Sequence, residues 1–423
     1  MMRIGFGKFD ITPPVGTELG GYAGYRPCTG IHDPLFGKVI VLEQEEGRYA
    51  LVALDLMCVD EGLFLPLAEA LENLGIAKER LIACAIHSHA APTGMVPGTG
   101  PLASLNGPGE PIDPAFRQYM LSVIAKAADA AAQAIQALEP FQVRTGRGAI
   151  PPVGSERHTG ADPQGQMTVI QIRTHSGKVL TVHNFPCHPT VLSAANTQVS
   201  ADFVAGIEDL LDCDMAVFLN GAAGDISTRF TRQESSFAEC QRMAQIAAEQ
   251  IQNCIRHTEF FDPAPLRGIH KTVTLEARQV ETPEEAQKQL QYHTQRWKAA
   301  EAAGEDPATV RILKSYVEGA GVSLEFAQTM GNLRQFHLPV TLFRFAGVDF
   351  VSIPGELFSA LQPPQLAVIS YANGYYRYIS GMEAYDAGYY ESMGSILARG
   401  QGEVLIQRIT QLHQQLNHTE KGE

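Results

Sequence analysis

Between residue 1 and about residue 275, short apolar runs alternate with longer helical stretches, and this alternation restricts the fold more than any other feature of the chain. "GKVIVLEQ", "YALVALDLMCV", "RLIACAIH", "MTVIQIRT", "VLTVHNFPCH" and "MAVFLNGAAGD" read as strands, whereas "LPLAEALENLGI", "FRQYMLSVIAKAADAAAQAIQAL" and "AECQRMAQIAAEQIQNCI" carry apolar residues at helical spacing. The pattern predicts an α/β fold with mixed β-sheets flanked by helices. Residues 280–330 differ: they are polar, helical and broken at "AGEDP", as expected of a helical hairpin inserted into one large domain spanning 1–423. Strands resume with "HLPVTLFRFAGVDFVSIPGE". No repeat of fixed period is visible.

Charge limits the partners. The formal net charge is −14 and Lys and Arg form no runs, so no basic surface is available for a phosphate backbone or an anionic bilayer, and nucleic acid is excluded. The first residues lack an apolar segment of signal-peptide length, and no window of about 20 apolar residues occurs. A cytoplasmic protein with no transmembrane segment is expected; self-association into a homo-oligomer stays open. The seven cysteines are scattered without C-x-x-C spacing, which argues against a disulfide framework and a thiolate zinc site.

The chemistry concentrates at strand ends. In "AIHSHAAPTG", His87 and His89 follow an apolar run and precede a long Gly/Pro loop, residues 92–113. Side chains two apart on a strand share a face, so both imidazoles are ligand candidates from spacing. Four further stretches place reactive side chains in the same way: "VHNFPCHPTVLS" (His188), "FLNGAAGDISTRF" (Asp225, Ser227), "VSIPGELFSA" (Glu356) and "YANGYYRYISGMEAYDAGYYES" (Tyr378, Tyr390).

In order, His-x-His-small-small-Pro, then "HP", "GDIS", "PGE" and N-x-Y-x-x-Y, with "YE" twelve residues after the second tyrosine, this set resembles the neutral/alkaline ceramidase family of zinc amidases. The opening "GKFDITPP" and "GIHDPLFGKVIVLE" are similar as well, and the resemblance spans residues 1 to about 400. It implies one Zn2+ held by His87, His188, Glu356 and Tyr378, with His89 beside the reacting carbonyl rather than on the metal. Two imidazoles and a carboxylate form an ordinary catalytic zinc set that leaves room for water. The tyrosine ligand rests on the resemblance alone.

The implied reaction is hydrolysis of an N-acyl amide by a metal-activated water. His89, Arg157 and Tyr390 would stabilise the oxyanion, and Ser227 would position substrate, because no G-x-S-x-G elbow accompanies it. Asp225 is expected to support the turn. The substrate would be a small-molecule or lipid-like amide; the chain ends without the C-terminal immunoglobulin-like domain that ceramide-cleaving relatives carry, which also admits a soluble amide. A zinc esterase or lactonase, or a catalytically silent binding protein of the same fold, are the alternatives. The 280–330 hairpin is expected to act either as a lid that shapes the acyl pocket with the 92–113 loop, or as a dimer contact.

Overall fold

The structure, a computed structural model, describes residues 2–96, 113–330 and 333–418. Among them, strands group into three four-stranded sheets. The first holds β1 (Arg3–Asp10), β2 (Phe36–Gln44), β3 (Gly47–Leu54) and β4 (Leu81–Ala85). The second holds β5 (Phe141–Gly148), β6 (Met167–Thr174), β7 (Val179–Phe185) and β8 (Met215–Asn220). The third holds β9 (Arg267–Glu276), β10 (Gln335–Phe345), β11 (Val348–Ser352) and β12 (Leu366–Ile369).

All three sheets pair their strands by one scheme. Taken in chain order, neighbours are antiparallel, antiparallel and then parallel in the first sheet, the second and the third. A parallel pair requires a crossover. Helix α1 (Glu61–Glu72), capped by the Asp60 carboxylate on the Leu63 N–H, provides it between β3 and β4. Between β11 and β12 the crossover contains no α-helix; it carries Glu356 instead. The last strand of each sheet, β4, β8 or β12, is buried at every position, as its uninterrupted apolar sequence requires.

Helices cover the outer antiparallel pairs. α2 (Pro114–Gln136) packs on β1 and β2, and α3 (Phe237–Ile255) on β5 and β6. α4 (Pro283–Ala303) and α5 (Pro307–Thr329) form the hairpin expected at 280–330, inserted between β9 and β10. A Thr282/Glu285 capping box starts it and Gly304 ends its first helix. α6 (Gln401–His418) packs on β9 and β10. Among the described residues no helix is long and apolar enough to cross a membrane.

Three buried asparagines tie the sheets to one another near the carboxyl ends of the parallel strands. Asn184 Nδ2 donates to the Val368 carbonyl (2.7 Å), joining the second sheet to the third. Asn220 Nδ2 donates to the Ile86 carbonyl (3.0 Å), joining the second to the first. Asn373 accepts from the Ala83 N–H (2.8 Å) and donates to the Leu81 carbonyl (3.0 Å), joining the segment after β12 to β4. An unpaired buried amide would cost about 1–3 kcal/mol, so these contacts fix the relative placement of the sheets as well as stabilising it.

Candidate metal centre

Each sheet delivers one ligand-type side chain to the point where the parallel strands end. From the first comes His87. β4 stops at Ala85, and His87 lies beyond it with φ +73°, so the expectation that both histidines stand on one strand face is not met. The left-handed residue turns the chain, and the His87 and His89 rings meet edge to face with centroids 4.9 Å apart. His87 donates from Nδ1 to the Met57 carbonyl (2.6 Å) and stacks on Tyr371 (4.0 Å). Tyr371, Asn373 and Arg377 also have positive φ, which concentrates backbone strain around this point.

From the second sheet comes His188, just after β7. Its backbone N–H and its Nδ1–H both reach the Ile226 carbonyl (3.0 and 2.9 Å). From the third comes Glu356, whose Oε2 lies 3.1 Å from His188 Nε2 and 3.5 Å from His87 Nε2. Its Oε1 accepts the Tyr375 hydroxyl at 2.5 Å. Glu356 and Tyr378 are register partners in a short parallel pair, which sets the two side by side.

These bonds decide the tautomers. A carbonyl cannot donate, so Nδ1 is the protonated nitrogen in both His87 and His188, and both Nε2 lone pairs face a carboxylate oxygen. Burial lowers the His87 pKa to about 3, depresses that of His188 and raises that of Glu356, so a neutral carboxyl could donate to one Nε2 but not to both. A divalent cation at the meeting point would satisfy both lone pairs and the carboxylate together, and the donor set fits one. His89 Nε2 is 3.2 Å from His87 Nε2, and the nitrogens of His87, His89 and His188 all lie within 4.8 Å of one another. His89 therefore stands close enough to serve as a ligand or to face a substrate on the ion. Burial pushes the Tyr378 phenol well above its usual range, so it would ionise only beside a cation.

His89 is held from behind by the N-terminal loop. A Cβ on Gly21 would lie 2.2 Å from the imidazole Cγ, so only glycine allows this approach. Tyr22 packs edge-on against the ring (4.8 Å), and Arg26 donates to the His89 carbonyl (2.6 Å).

A second group adjoins the same cavity through Tyr390. Arg157, buried, donates to the Tyr390 hydroxyl and to Glu391 (3.2 Å), which also binds His158 (3.0 Å). The Arg157 N–H is fixed on the Asp225 carbonyl (2.8 Å), and the Asp225 carboxylate accepts both the N–H and the hydroxyl of Ser359 (2.7 and 2.9 Å). Asp225 is thus the supporting residue expected. Ser227 bridges backbone to backbone with His188, but among the described residues no imidazole or carboxylate hydrogen-bonds its hydroxyl. Spacing alone did not single out Tyr371, Tyr375 or Glu391, although all three stand inside the quoted "YANGYYRYISGMEAYDAGYYES".

The cavity measures about 230 Å3 and is lined by His87, His89, Glu356, Tyr378 and Tyr390, together with Glu318 and Val322 of α5. Gly319 of the same helix packs on the Tyr390 backbone, where a Cβ would come within 2.9 Å of the carbonyl, and Glu325 pairs with Arg377 (3.2 Å). The hairpin therefore forms one wall of the site. Most of the 92–113 loop lies outside the described residues. Shortening α4 and α5 is expected to change relative rates across acyl chain lengths by about tenfold while leaving metal content intact. An unchanged rate pattern in a chain-length series would remove the lid reading.

Comparisons with known proteins give the family and the fold. A family profile described as neutral/alkaline non-lysosomal ceramidase, N-terminal, matches residues 2–297. The fold is similar to that of a neutral ceramidase from Pseudomonas aeruginosa (TM-score 0.71, 18% identity, 96% of this chain and 73% of that one). A ceramidase complexed with C2 gives a TM-score of 0.71 at 16% identity, over 96% of this chain and 74% of that one. No curated protein sequence matches the chain.

Proposed function

Because the chain belongs to the neutral/alkaline non-lysosomal ceramidase family, we propose that it is a zinc-dependent hydrolase of linear N-acyl amides, with the ion held by His87, His188, Glu356 and Tyr378. The observation that carries this reading is the pair of tautomer-fixed imidazoles aimed at one carboxylate oxygen. Bound there, the ion would supply Lewis acidity toward a water and a carbonyl.

The protein groups divide the remaining work. Tyr375 holds Glu356 by Oε1, leaving Oε2 toward the histidines. Arg157 and Tyr390, already joined, present an N–H and an O–H donor to an oxyanion, each worth about 2–4 kcal/mol when correctly aimed. His89 faces the same space and can hydrogen-bond the carbonyl or the leaving amine. Ser227 has no base and is assigned to substrate positioning. Accordingly, Ser227→Ala should lower turnover by less than about a hundredfold; an acyl group trapped on Ser227 would refute the water route.

The test is turnover of N-acyl amides, ceramide among them, by protein stripped with a chelator and reloaded with zinc. Amide hydrolysis restored by zinc supports the reading. Hydrolysis of esters or lactones alone would replace it with an esterase assignment.

A further inference from the structure

Side chains from all three four-stranded sheets line a second cavity of about 260 Å3. Its wall takes side chains from every sheet: Ile40 and Ile82 from the first, Ile172 and Val182 from the second, Phe343 and Phe345 from the third. Ile40, Ile82, Val182 and Phe345, which line it, retain 6–8% of their surface. The space between them therefore admits a probe the size of water.

It shares no lining residue with the site cavity. Ile82 lines it, whereas Cys84, on the same face of β4 and two residues nearer His87, is bridged to Ala372 and lines neither cavity. Protein interiors pack densely, and a void forfeits the dispersion contacts of its lining. An apolar cavity of about 150 Å3 already binds benzene. This one is larger, and one end is polar. There the Arg80 guanidinium lies over the Tyr49 ring (4.9 Å) with one N–H on the Glu46 carbonyl, and His270 is bonded to the Thr341 hydroxyl (2.9 Å). Glu79 lies at the same end and disfavours a head of more than one negative charge.

We infer that this cavity binds a single unbranched alkyl chain with a carboxylate head, the chain lying among the apolar side chains from the three sheets and the head at Arg80, separately from the metal centre. Each methylene buried contributes about 0.8 kcal/mol, or about fourfold in affinity.

The experiment is calorimetric titration of the zinc-loaded full chain with saturated fatty acids from hexanoate to dodecanoate. One equivalent should bind away from the metal, with affinity rising about fourfold per methylene until the cavity is full and then levelling. Ile172→Phe, which fills the cavity, should weaken binding at least tenfold and leave zinc content and turnover unchanged. If that variant does not fold, Ile172→Ala should move the levelling point to longer chains. Arg80→Gln should weaken the acid but not the matching alcohol. Absence of saturable binding would overturn the inference. So would binding that is insensitive to both Ile172 variants but lost in His188→Ala, which would place the chain in the metal-site cavity.

Discussion

His188→Ala is expected to purify without its metal and to lose about four orders of magnitude in amide turnover. Among the described residues the imidazole is the ligand-type side chain that the second sheet supplies to the site, and without it Glu356 Oε2 keeps His87 as its nitrogen neighbour. The loss should be local, because the His188 backbone N–H remains on the Ile226 carbonyl whatever the side chain. Removing the Lewis acid removes both water activation and carbonyl polarisation, each a large share of a metal-assisted rate. Elemental analysis beside a far-ultraviolet spectrum checks it. Metal at the wild-type ratio in a folded His188→Ala protein would sink the zinc assignment.

His89→Ala should behave differently. If His89 faces the substrate, the variant keeps its zinc and loses about a hundred- to a thousandfold in turnover, whereas His87→Ala loses the ion. The geometry makes the contrast informative, since the two Nε2 atoms are only 3.2 Å apart and a ligand role for His89 is within reach. Equal zinc loss in the two variants would replace the carboxylate-containing set with a three-histidine one. Binding of an uncleaved amide should survive His89→Ala if the residue acts on the carbonyl, which separates lost chemistry from lost binding.

Much of this was legible in the sequence because the inner strands are apolar on both faces. β4 and β8 stand out as uninterrupted runs. Of the strands that periodicity did not mark, β1, β5 and β9 are the corresponding edge strand in each sheet, with Arg, Lys and Gly positions that face solvent or a helix, and β12 is only four residues long. The threefold scheme leaves no sequence period, since the segment between the first two strands is a loop in one sheet and a helical hairpin in another. The ligand motifs were readable as an ordered set. Their partners were not: Tyr371 under His87, Tyr375 on Glu356 and Glu391 on Arg157 are tertiary contacts, and the Arg157–Glu391 pair joins residues 234 apart in the chain. The convergence of His87 and His89 likewise depends on one left-handed residue, which strand alternation does not foresee.

In the proposed ligand set His87 follows the first sheet, His188 the second, and Glu356 and Tyr378 belong with the third, which bears on how the protein is made. No single sheet carries the full set, so binding competence appears only once the last has docked on the other two. The final approach closes contacts far apart along the chain, such as Asn373 on Ala83, and searches of that kind are slow. An ion bound there would act as a thermodynamic latch on the finished assembly, favouring the native state in proportion to the logarithm of its free concentration and offering partly folded chains much less purchase.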